Sequence, residues 1–324
     1  MGILAVIGLI IVIVDLACLA VKWLVSSTPC GMKPDLTGKV YVVTGTGSGI
    51  GCAAAVEIAS LGATVIMANR AEDRSEKCLE YARKVCPEAV ERMHHITCDL
   101  SDLHSVHSFV DEFLSRYQKL DVLLNIAAYM DWYRKAQKSP QGLEMHFATN
   151  FLGHFALNLG LRPALAAAHG RIVNVGSCSY ILDNRIKFES FSYDDAIKNN
   201  HHGLFAYAHS KICITAMSHV LADQFRDDGI LVVTADPGVC RSEITRRFPR
   251  IIHELRKAIP VEPSPSQAAQ TPLFCAWEDR DKLIPGEVYR NCHHLEFSPD
   301  RVEHNKEICD TLYQTATELV NRLY

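Results

Sequence analysis

The sequence contains 12 cysteines but no CxxC pair, and it contains no N-x-S/T glycosylation sequon. The absence of paired cysteine motifs excludes zinc-ribbon and thioredoxin-like proteins. The cysteines are instead scattered along 324 residues. This distribution predicts reduced, mostly buried thiols in a domain that faces the cytosol, rather than a disulfide framework.

An excess of positive charge is also missing. The chain has 33 Lys and Arg residues against 37 Asp and Glu residues, which gives a formal net charge of −4. Such a chain has no uniform positive field for phosphates, so we expect no nucleic-acid partner. Because 48% of the residues are hydrophobic, the composition excludes disorder and supports a large core.

Residues 3–21 form a nearly unbroken apolar run in which Asp15 is the only charged residue. At about 1.5 Å per helical residue, this run spans roughly the 30 Å of bilayer hydrocarbon. Its Leu, Ile and Val residues together outweigh the cost of about 3 kcal/mol for one Asp. A cleaved signal peptide would need basic residues before Ile3, and a buried core helix would be shorter, so both are weaker alternatives. We therefore predict an N-terminal transmembrane anchor at 1–25.

The residues that follow the anchor set its orientation. Lys22, Lys33 and Lys39 come after the apolar run, and the positive-inside rule places the rest of the chain in the cytosol. The expected membrane is that of the endoplasmic reticulum. Turn-forming residues at 26–37 predict a linker before a single domain at 38–324.

The domain alternates short apolar runs with amphipathic helical patterns. The predicted strands are 39–44, 64–68, 94–98, 121–125, 171–175 and 230–235. Strands that are apolar throughout are buried on both faces, which is typical of a parallel sheet covered by helices. The predicted fold class is therefore α/β, with a doubly wound, Rossmann-type parallel sheet.

A glycine-rich segment follows the first predicted strand, reading TGTGSGIG at 44–51. Glycines at this place allow the backbone to approach a pyrophosphate, whose charge meets the amides at the start of the next helix. A plain tight turn is the alternative, but the preceding strand and following helix favour nucleotide binding. The candidate cofactor contacts in this segment are Gly45, Ser48, Gly49, Ile50 and Gly51.

The end of the second strand bears on the choice of cofactor. It reads Ala68-Asn69-Arg70, where NAD-binding proteins have a carboxylate for the ribose 2′-hydroxyl. Arg70 can instead pair with a 2′-phosphate, so we predict NADP(H), with a solvated surface Arg70 as the alternative. Asp99 follows the third strand and either accepts a hydrogen bond from the adenine amine or caps the helix near Ser101.

Tyr207 and Lys211 are four residues apart, which places the phenol and the ammonium on one helix face. A nearby cation lowers the pKa of a phenol toward the range useful for acid–base catalysis. Ser177 follows the fifth strand, where its hydroxyl could hold a substrate oxygen. Asn150 lies among phenylalanines, which predicts a bound water or a backbone contact for its amide. A Tyr-x-x-x-Lys pair alone is more often a surface pair than a catalytic one. Together with the glycine-rich segment and Ser177, the pair is interpreted as catalytic.

Together these features resemble the short-chain dehydrogenase/reductase family from about Lys39 to the region of Tyr313. The motifs that match, in chain order, are TGTGSGIG at 44–51, Asp99-Leu100, Asn150 followed by FLGHF at 151–155, NVGS at 174–177, Tyr207 with Lys211, and Asp236-Pro237-Gly238. The resemblance implies a catalytic tetrad of Asn150, Ser177, Tyr207 and Lys211. It further implies cofactor contacts from Leu100, Asn125, Tyr207, Lys211, Pro237, Gly238 and Ser242.

Within that family the chain looks most like the membrane-anchored retinol dehydrogenases. This resemblance implies an NADP(H)-dependent enzyme that interconverts a lipophilic alcohol and its carbonyl, such as a retinoid, a steroid or a long-chain lipid, with carbonyl reduction as the net direction. One departure is NIAA at 125–128, where the family has Asn-Asn-Ala-Gly, because it adds side-chain bulk near the cofactor. A non-catalytic nucleotide-binding scaffold or sensor is the alternative.

Residues 246–259 form a basic amphipathic pattern in the region where the family builds its substrate lid. We expect this segment to rest on anionic membrane lipid and to admit an apolar substrate, with an ordinary packed lid as the alternative. We expect no metal at the run Cys292, His293, His294 and Glu296, because neighbouring residues on one short run rarely converge on an ion. The sequence is also compatible with a homodimer.

Overall fold

The computed structural model describes residues 29–131, 136–182, 184–240, 263–296 and 301–323, without the side chains of Tyr180, Ile181 and Glu303. The anchor predicted at 1–25, Ser242 and the amphipathic segment at 246–259 lie outside these residues. Within the described ranges no helix has the length and apolar character needed to span a bilayer. The described part of the linker, 29–37, forms no helix or strand.

An eight-stranded sheet organises the domain. Its strands are β1 Val40–Thr44, β2 Thr64–Asn69, β3 Met93–Thr97, β4 Val122–Asn125, β5 Arg171–Val175, β6 Leu231–Asp236, β7 Val288–Arg290 and β8 His293–His294. The spatial order is β3-β2-β1-β4-β5-β6-β7-β8. All neighbouring strands are parallel except β7 and β8. This topology confirms the predicted doubly wound fold and its six predicted strands, and adds two short strands that were not predicted.

Helices cover both faces of the sheet. Those described are α1 Gly49–Ser60, α2 Glu72–Val85, α3 Leu103–Arg116, α4 Gly153–Gly160, α5 Arg162–Ala168, α6 Tyr193–Lys198, α7 Gly203–Gln224, α8 Pro265–Ala268, α9 Gln270–Trp277 and α10 Lys306–Leu323. Successive β1 residues point to opposite faces. Val42 belongs to the core that α3, α4, α7 and α10 help to form, and Val43 belongs to the core that α1, α2 and α9 help to form. Burial on both faces explains why the strands are apolar throughout.

The strand order reverses beside β1. The chain leaves β1 for β2 and β3 on one side, then returns to β4 on the other side. In open α/β sheets, such a reversal opens a crevice at the carboxyl ends of the strands, where ligands bind. The turns that follow β1 and β4 therefore position the candidate site.

The described cysteines agree with the reduced state predicted from the sequence. Eleven cysteines are described and all are free thiols, each of them buried or half-buried. Burial is the usual environment of a structural free cysteine, which behaves as a small apolar side chain.

Candidate active site

A cleft of about 830 Å³ opens at the carboxyl ends of the parallel strands. The predicted site residues that line it are Gly45, Ser48, Gly49, Ile50, Gly51, Asn69, Arg70, Asp99, Leu100, Ser177, Tyr207, Lys211, Pro237 and Gly238. Asn125 and Asn150 do not line the cleft, because both lie buried behind its wall. The cleft therefore brings together most of the residues singled out in the sequence.

The glycine-rich segment forms one end of the cleft. Gly45 has a φ of +72°, and a Cβ on it would lie 2.7 Å from Cα of Ala127, so only glycine fits against the turn after β4. Ser48 is the N-cap residue of α1, yet its hydroxyl makes no capping hydrogen bond. The first amides of α1 are thus available to an anion, as nucleotide binding requires.

At the end of β2, Asn69 was predicted to contact the cofactor, but its side-chain amide is bonded within the protein. Asn69 is buried, and its amide donates to Thr46 Oγ1 at 2.6 Å and to Ser75 Oγ at 2.8 Å. Its side-chain amide is therefore engaged in holding the glycine-rich segment against β2, although the residue borders the cleft. Arg70 is exposed at the cleft edge.

A second arginine joins Arg70 at this end of the cleft. Arg74 lies in the first turn of α2 and lines the cleft. Its aliphatic carbons pack on Gly47 so closely that a Cβ on Gly47 would lie 2.9 Å from Cβ of Arg74. Arg74 was not predicted from the sequence. The available signal was its position in the first turn of the helix that follows β2, a few residues after Arg70.

Asp99 stabilises the turn before the helix in the structure but does not cap the helix. Its Oδ1 accepts from the backbone N–H and the hydroxyl of Ser101, at 2.9 and 2.7 Å. The helix itself begins later than expected, at Leu103, and Asp102 caps it by accepting from His104 N. Asp99 also lines the cleft, so its bonds to Ser101 and a contact with a bound nucleotide are compatible.

Tyr207, Lys211 and Ser177 meet at the centre of the cleft. Nζ of Lys211 lies 5.8 Å from the centre of the Tyr207 ring, one turn away on α7. Lys211 is only 2% exposed, and its ammonium donates to the carbonyl oxygen of Val175 at 2.8 Å. Ser177 lines the same cleft, and its hydroxyl interacts with the phenol of Tyr207 in a way that lowers the pKa of the phenol. A phenol, an ammonium and a hydroxyl therefore converge beside the glycine-rich segment.

Burial controls the protonation of these groups. It lowers the pKa of Lys211 to about 8, although the charge of Asp236 opposes this shift. Burial raises the pKa of Tyr207 above its ordinary value, and the hydrogen bond from Ser177 only partly opposes the increase. In the protein alone the pKa of the phenol is therefore raised, and not lowered as expected from the neighbouring ammonium. Desolvation of the phenolate outweighs any attraction to the ammonium.

Asn150 supports Tyr207 from behind the cleft wall. It lies in a π-helical turn, Phe147–Leu152, and is fully buried. Its amide exchanges hydrogen bonds with the backbone of Tyr129, accepting from N at 2.6 Å and donating to O at 3.0 Å. It also donates to Ser210 Oγ, which bonds the carbonyl oxygen of Tyr207. The backbone contact predicted for this amide is confirmed.

His154 links the same turn to the glycine-rich segment. Its Nδ1 donates to the carbonyl oxygen of Asn150 at 2.8 Å, and its Nε2 lies 3.0 Å from Thr44 Oγ1. Burial lowers the pKa of His154 to about 4, so the ring is neutral and Nε2 accepts from the Thr44 hydroxyl. Thr44 Oγ1 in turn accepts from the amides of Ile126 and Ala127. His154 belongs to the FLGHF motif at 151–155, but this role was not predicted from the sequence.

Two further buried groups shape the cleft from outside. Asn125 donates to the side chains of Asn158 and Asn174, at 2.7 and 2.8 Å, which explains why it faces away from the cleft. Asp236 forms a buried ion pair with Arg290, and its other oxygen accepts from Gly238 N at 2.9 Å. This pair fixes the Pro237–Gly238 turn, and its arginine comes from β7, which was not predicted.

Comparison with known proteins gives a consistent family assignment. The sequence model described as short chain dehydrogenase matches residues 39–184. Retinol dehydrogenase 12 from Mus musculus is 31% identical over 292 residues, which cover 90% of this chain and 89% of that protein. Retinol dehydrogenase 11 from Homo sapiens is 33% identical over 276 residues, covering 84% of this chain and 83% of that protein.

Solved structures agree on the fold. An uncharacterized protein from Mycobacterium paratuberculosis has a TM-score of 0.67 at 23% identity, covering 91% of this chain and 98% of that one. L-sorbose reductase from Gluconobacter frateurii, solved with NADPH and L-sorbose, has a TM-score of 0.62 at 21% identity, covering 80% and 97%. The chain belongs to the short-chain dehydrogenase family, in the branch that contains the retinol dehydrogenases.

Proposed function

We propose that this protein is an NADP(H)-dependent oxidoreductase that interconverts a lipophilic alcohol and its carbonyl, with carbonyl reduction as the net direction. The observation that supports this proposal best is the convergence of Tyr207, Ser177 and Lys211 in the cleft that the glycine-rich segment also lines. The proposed catalytic domain is 38–324.

The residues of the cleft fit a dinucleotide. The free amides at the start of α1 suit a pyrophosphate, and the lack of a Cβ on Gly45 keeps the backbone close to it. Arg70 and Arg74 both line the adenosine end, where two guanidinium groups would favour a 2′-phosphate and therefore NADP(H) over NAD(H). When bound, NADPH supplies the hydride.

The residues of this chain supply the proton and hold the reacting oxygen. Tyr207 is protonated near neutral pH because burial raises its pKa, so it can donate from Oη to the carbonyl oxygen as the alcohol forms. Ser177 hydrogen-bonds the same oxygen and keeps it in line with the phenol. Lys211 places a positive charge beside the phenolate that remains and would bind the nicotinamide ribose. Asn150 holds the backbone around Tyr129 and Ser210.

Apolar side chains also line the cleft, which favours a lipophilic substrate. They are Met130, Met145, Leu182 and Leu204, with Tyr129 and Gln137 adding polar groups. The names of the retinol dehydrogenases that the chain resembles make a retinoid the first candidate, with steroids and long-chain carbonyl lipids next. We further propose that the anchor at 1–25 and the segment at 246–259 deliver this substrate from the membrane of the endoplasmic reticulum to a cytosolic domain.

The test is turnover by the full-length chain purified in detergent micelles. NADPH and NADH oxidation is followed with retinal, a steroid ketone and a long-chain aldehyde, and NADPH affinity is measured separately by fluorescence titration. We expect turnover with NADPH and a loss of at least about 100-fold in Tyr207→Phe, since the variant has no proton to donate. Tyr81→Phe changes an exposed tyrosine on α2 and should match the unchanged protein.

Two results would contradict the proposal. Unchanged turnover in Tyr207→Phe would remove the assigned acid, and tight NADPH binding without turnover on any carbonyl would favour the alternative of a nucleotide-binding scaffold or sensor.

A further inference from the structure

Three potential metal ligands from distant parts of the sequence meet beside the C-terminal half of α7, outside the cleft. They are His219 on α7, Glu287 just before β7, and His304 in the turn Val302–His304. One ligand atom from each residue lies within 4.8 Å of the other two. None of the three lines the cleft that contains Tyr207, so the cluster is separate from the candidate active site.

The chemistry of this set suits a divalent transition metal. Imidazole nitrogens and one carboxylate oxygen are typical zinc ligands, with bonds of about 2.0–2.2 Å. In a tetrahedral site such bonds place ligand atoms roughly 3.3 Å apart. The three ligand atoms here lie within 4.8 Å of one another. Small side-chain rotations would therefore bring all three within bonding distance of one ion.

The surroundings of Glu287 and His219 are organised in a way that supports binding. Nε2 of His294 lies 3.1 Å from Oε2 of Glu287, so one carboxylate oxygen is held while the other can bind an ion. Gly286 has a φ of +86°, and a Cβ there would lie 3.0 Å from Nδ1 of His219. The glycine thus lets the imidazole sit directly against the backbone that leads into Glu287.

We propose that His219, Glu287 and His304 bind a zinc-class divalent metal ion, with a water molecule as the fourth ligand. The ion would join the C-terminal half of α7 to the β7–β8 hairpin and to the turn that precedes α10. Because His304 is exposed, the ion can enter from solvent. Its role is to stabilise the packing of these elements, and it takes no part in proton or hydride transfer.

The proposal differs from the metal site rejected in the sequence analysis. That candidate used neighbours at 292–296, which cannot converge easily on one ion, whereas these ligands come from three elements. His294 is a member of that run, and here it orients Glu287 without binding the ion.

The experiment uses the full-length chain without a polyhistidine tag, stripped with a chelator and then titrated with Zn²⁺. We expect Zn²⁺ at about 100 times its Kd to raise the Tm by about 4 °C or more. Co²⁺ in place of Zn²⁺ should give the intense visible absorption of a four-coordinate site. His304→Ala and Glu287→Gln should abolish both signals, while His107→Ala, an exposed histidine on α3, should retain them.

The two variants distinguish a specific metal site from nonspecific binding of the ion. A Zn²⁺-induced Tm shift in His304→Ala equal to that of the unchanged protein would overturn the proposal, and so would a Co²⁺ spectrum that neither substitution alters. If Glu287→Gln unfolds the protein, His304→Ala still decides, because its exposed imidazole can be removed with little effect on packing.

Discussion

The hydroxyl of Thr44 donates to Nε2 of His154 across 3.0 Å, joining the carboxyl end of β1 to the start of α4. Nδ1 of the same ring donates to the carbonyl oxygen of Asn150. Both ring nitrogens are therefore used, and the arrangement works only while the imidazole is neutral. Protonation would force Nε2 to donate to a hydroxyl oxygen that already accepts from two backbone amides.

His154 should make the fold sensitive to acid. Its pKa is about 4 in the folded protein, against an ordinary value of 6.5, so the unfolded chain binds more protons between these pH values. The free energy of unfolding therefore falls as pH falls from about 6.5 toward 4, with a contribution from this residue of up to about 3 kcal/mol. His154→Gln should remove that contribution, measured as a shallower decline in urea-unfolding free energy across the window.

Exposed histidines provide the control for this measurement. His107→Gln changes a surface side chain that pairs with Asp111 and should leave the acid dependence unchanged. A decline in His154→Gln as steep as in the unchanged protein would show that other groups cause the acid sensitivity.

The ion pair between Asp236 and Arg290 should contribute strongly to stability. Both side chains are buried, and burial raises the pKa of Asp236 while Arg290 opposes the increase. Arg290→Met would leave the buried carboxylate without its ion-pair partner, so we expect a loss of about 3–5 kcal/mol in urea unfolding.

The matched control removes an exposed pair. Lys39 bonds Asp121 at 2.9 Å with its side chain 55% exposed, and Lys39→Met should cost less than about 1 kcal/mol. Equal losses in Arg290→Met and Lys39→Met would mean that the buried pair contributes no more than a surface one.

The sequence predicted the first six strands because burial on both faces produces continuous β-branched runs. It could not predict β7 and β8, which have three and two residues, too few for any periodicity. Local spacing placed Tyr207 and Lys211 on one helix face. The partners of Asn69 and His154 depend on elements that meet only after folding, so no local pattern indicates where those side chains point.

Cofactor preference should depend on Arg70 and Arg74. If each guanidinium pairs with the 2′-phosphate, replacing either with alanine removes a charge-assisted contact of about 1.5–3 kcal/mol. The Kd of NADPH should rise about 10- to 100-fold while that of NADH changes little, as measured by fluorescence titration. Arg83→Ala, on the same helix and paired with Glu76, is the control. A parallel loss of NADH affinity would place both arginines away from the 2′-phosphate.

The pH dependence of carbonyl reduction should report Lys211. Because its pKa is lowered to about 8, the ammonium loses its charge as pH rises through that value, while Tyr207 remains protonated. The kcat/KM for NADPH reflects groups of the free enzyme and should fall about tenfold per pH unit above 8. Lys211→Arg keeps its charge at every pH tested, so the decline should move to higher pH even if the rate is lower. An unshifted decline in this variant would assign the ionisation to a different group.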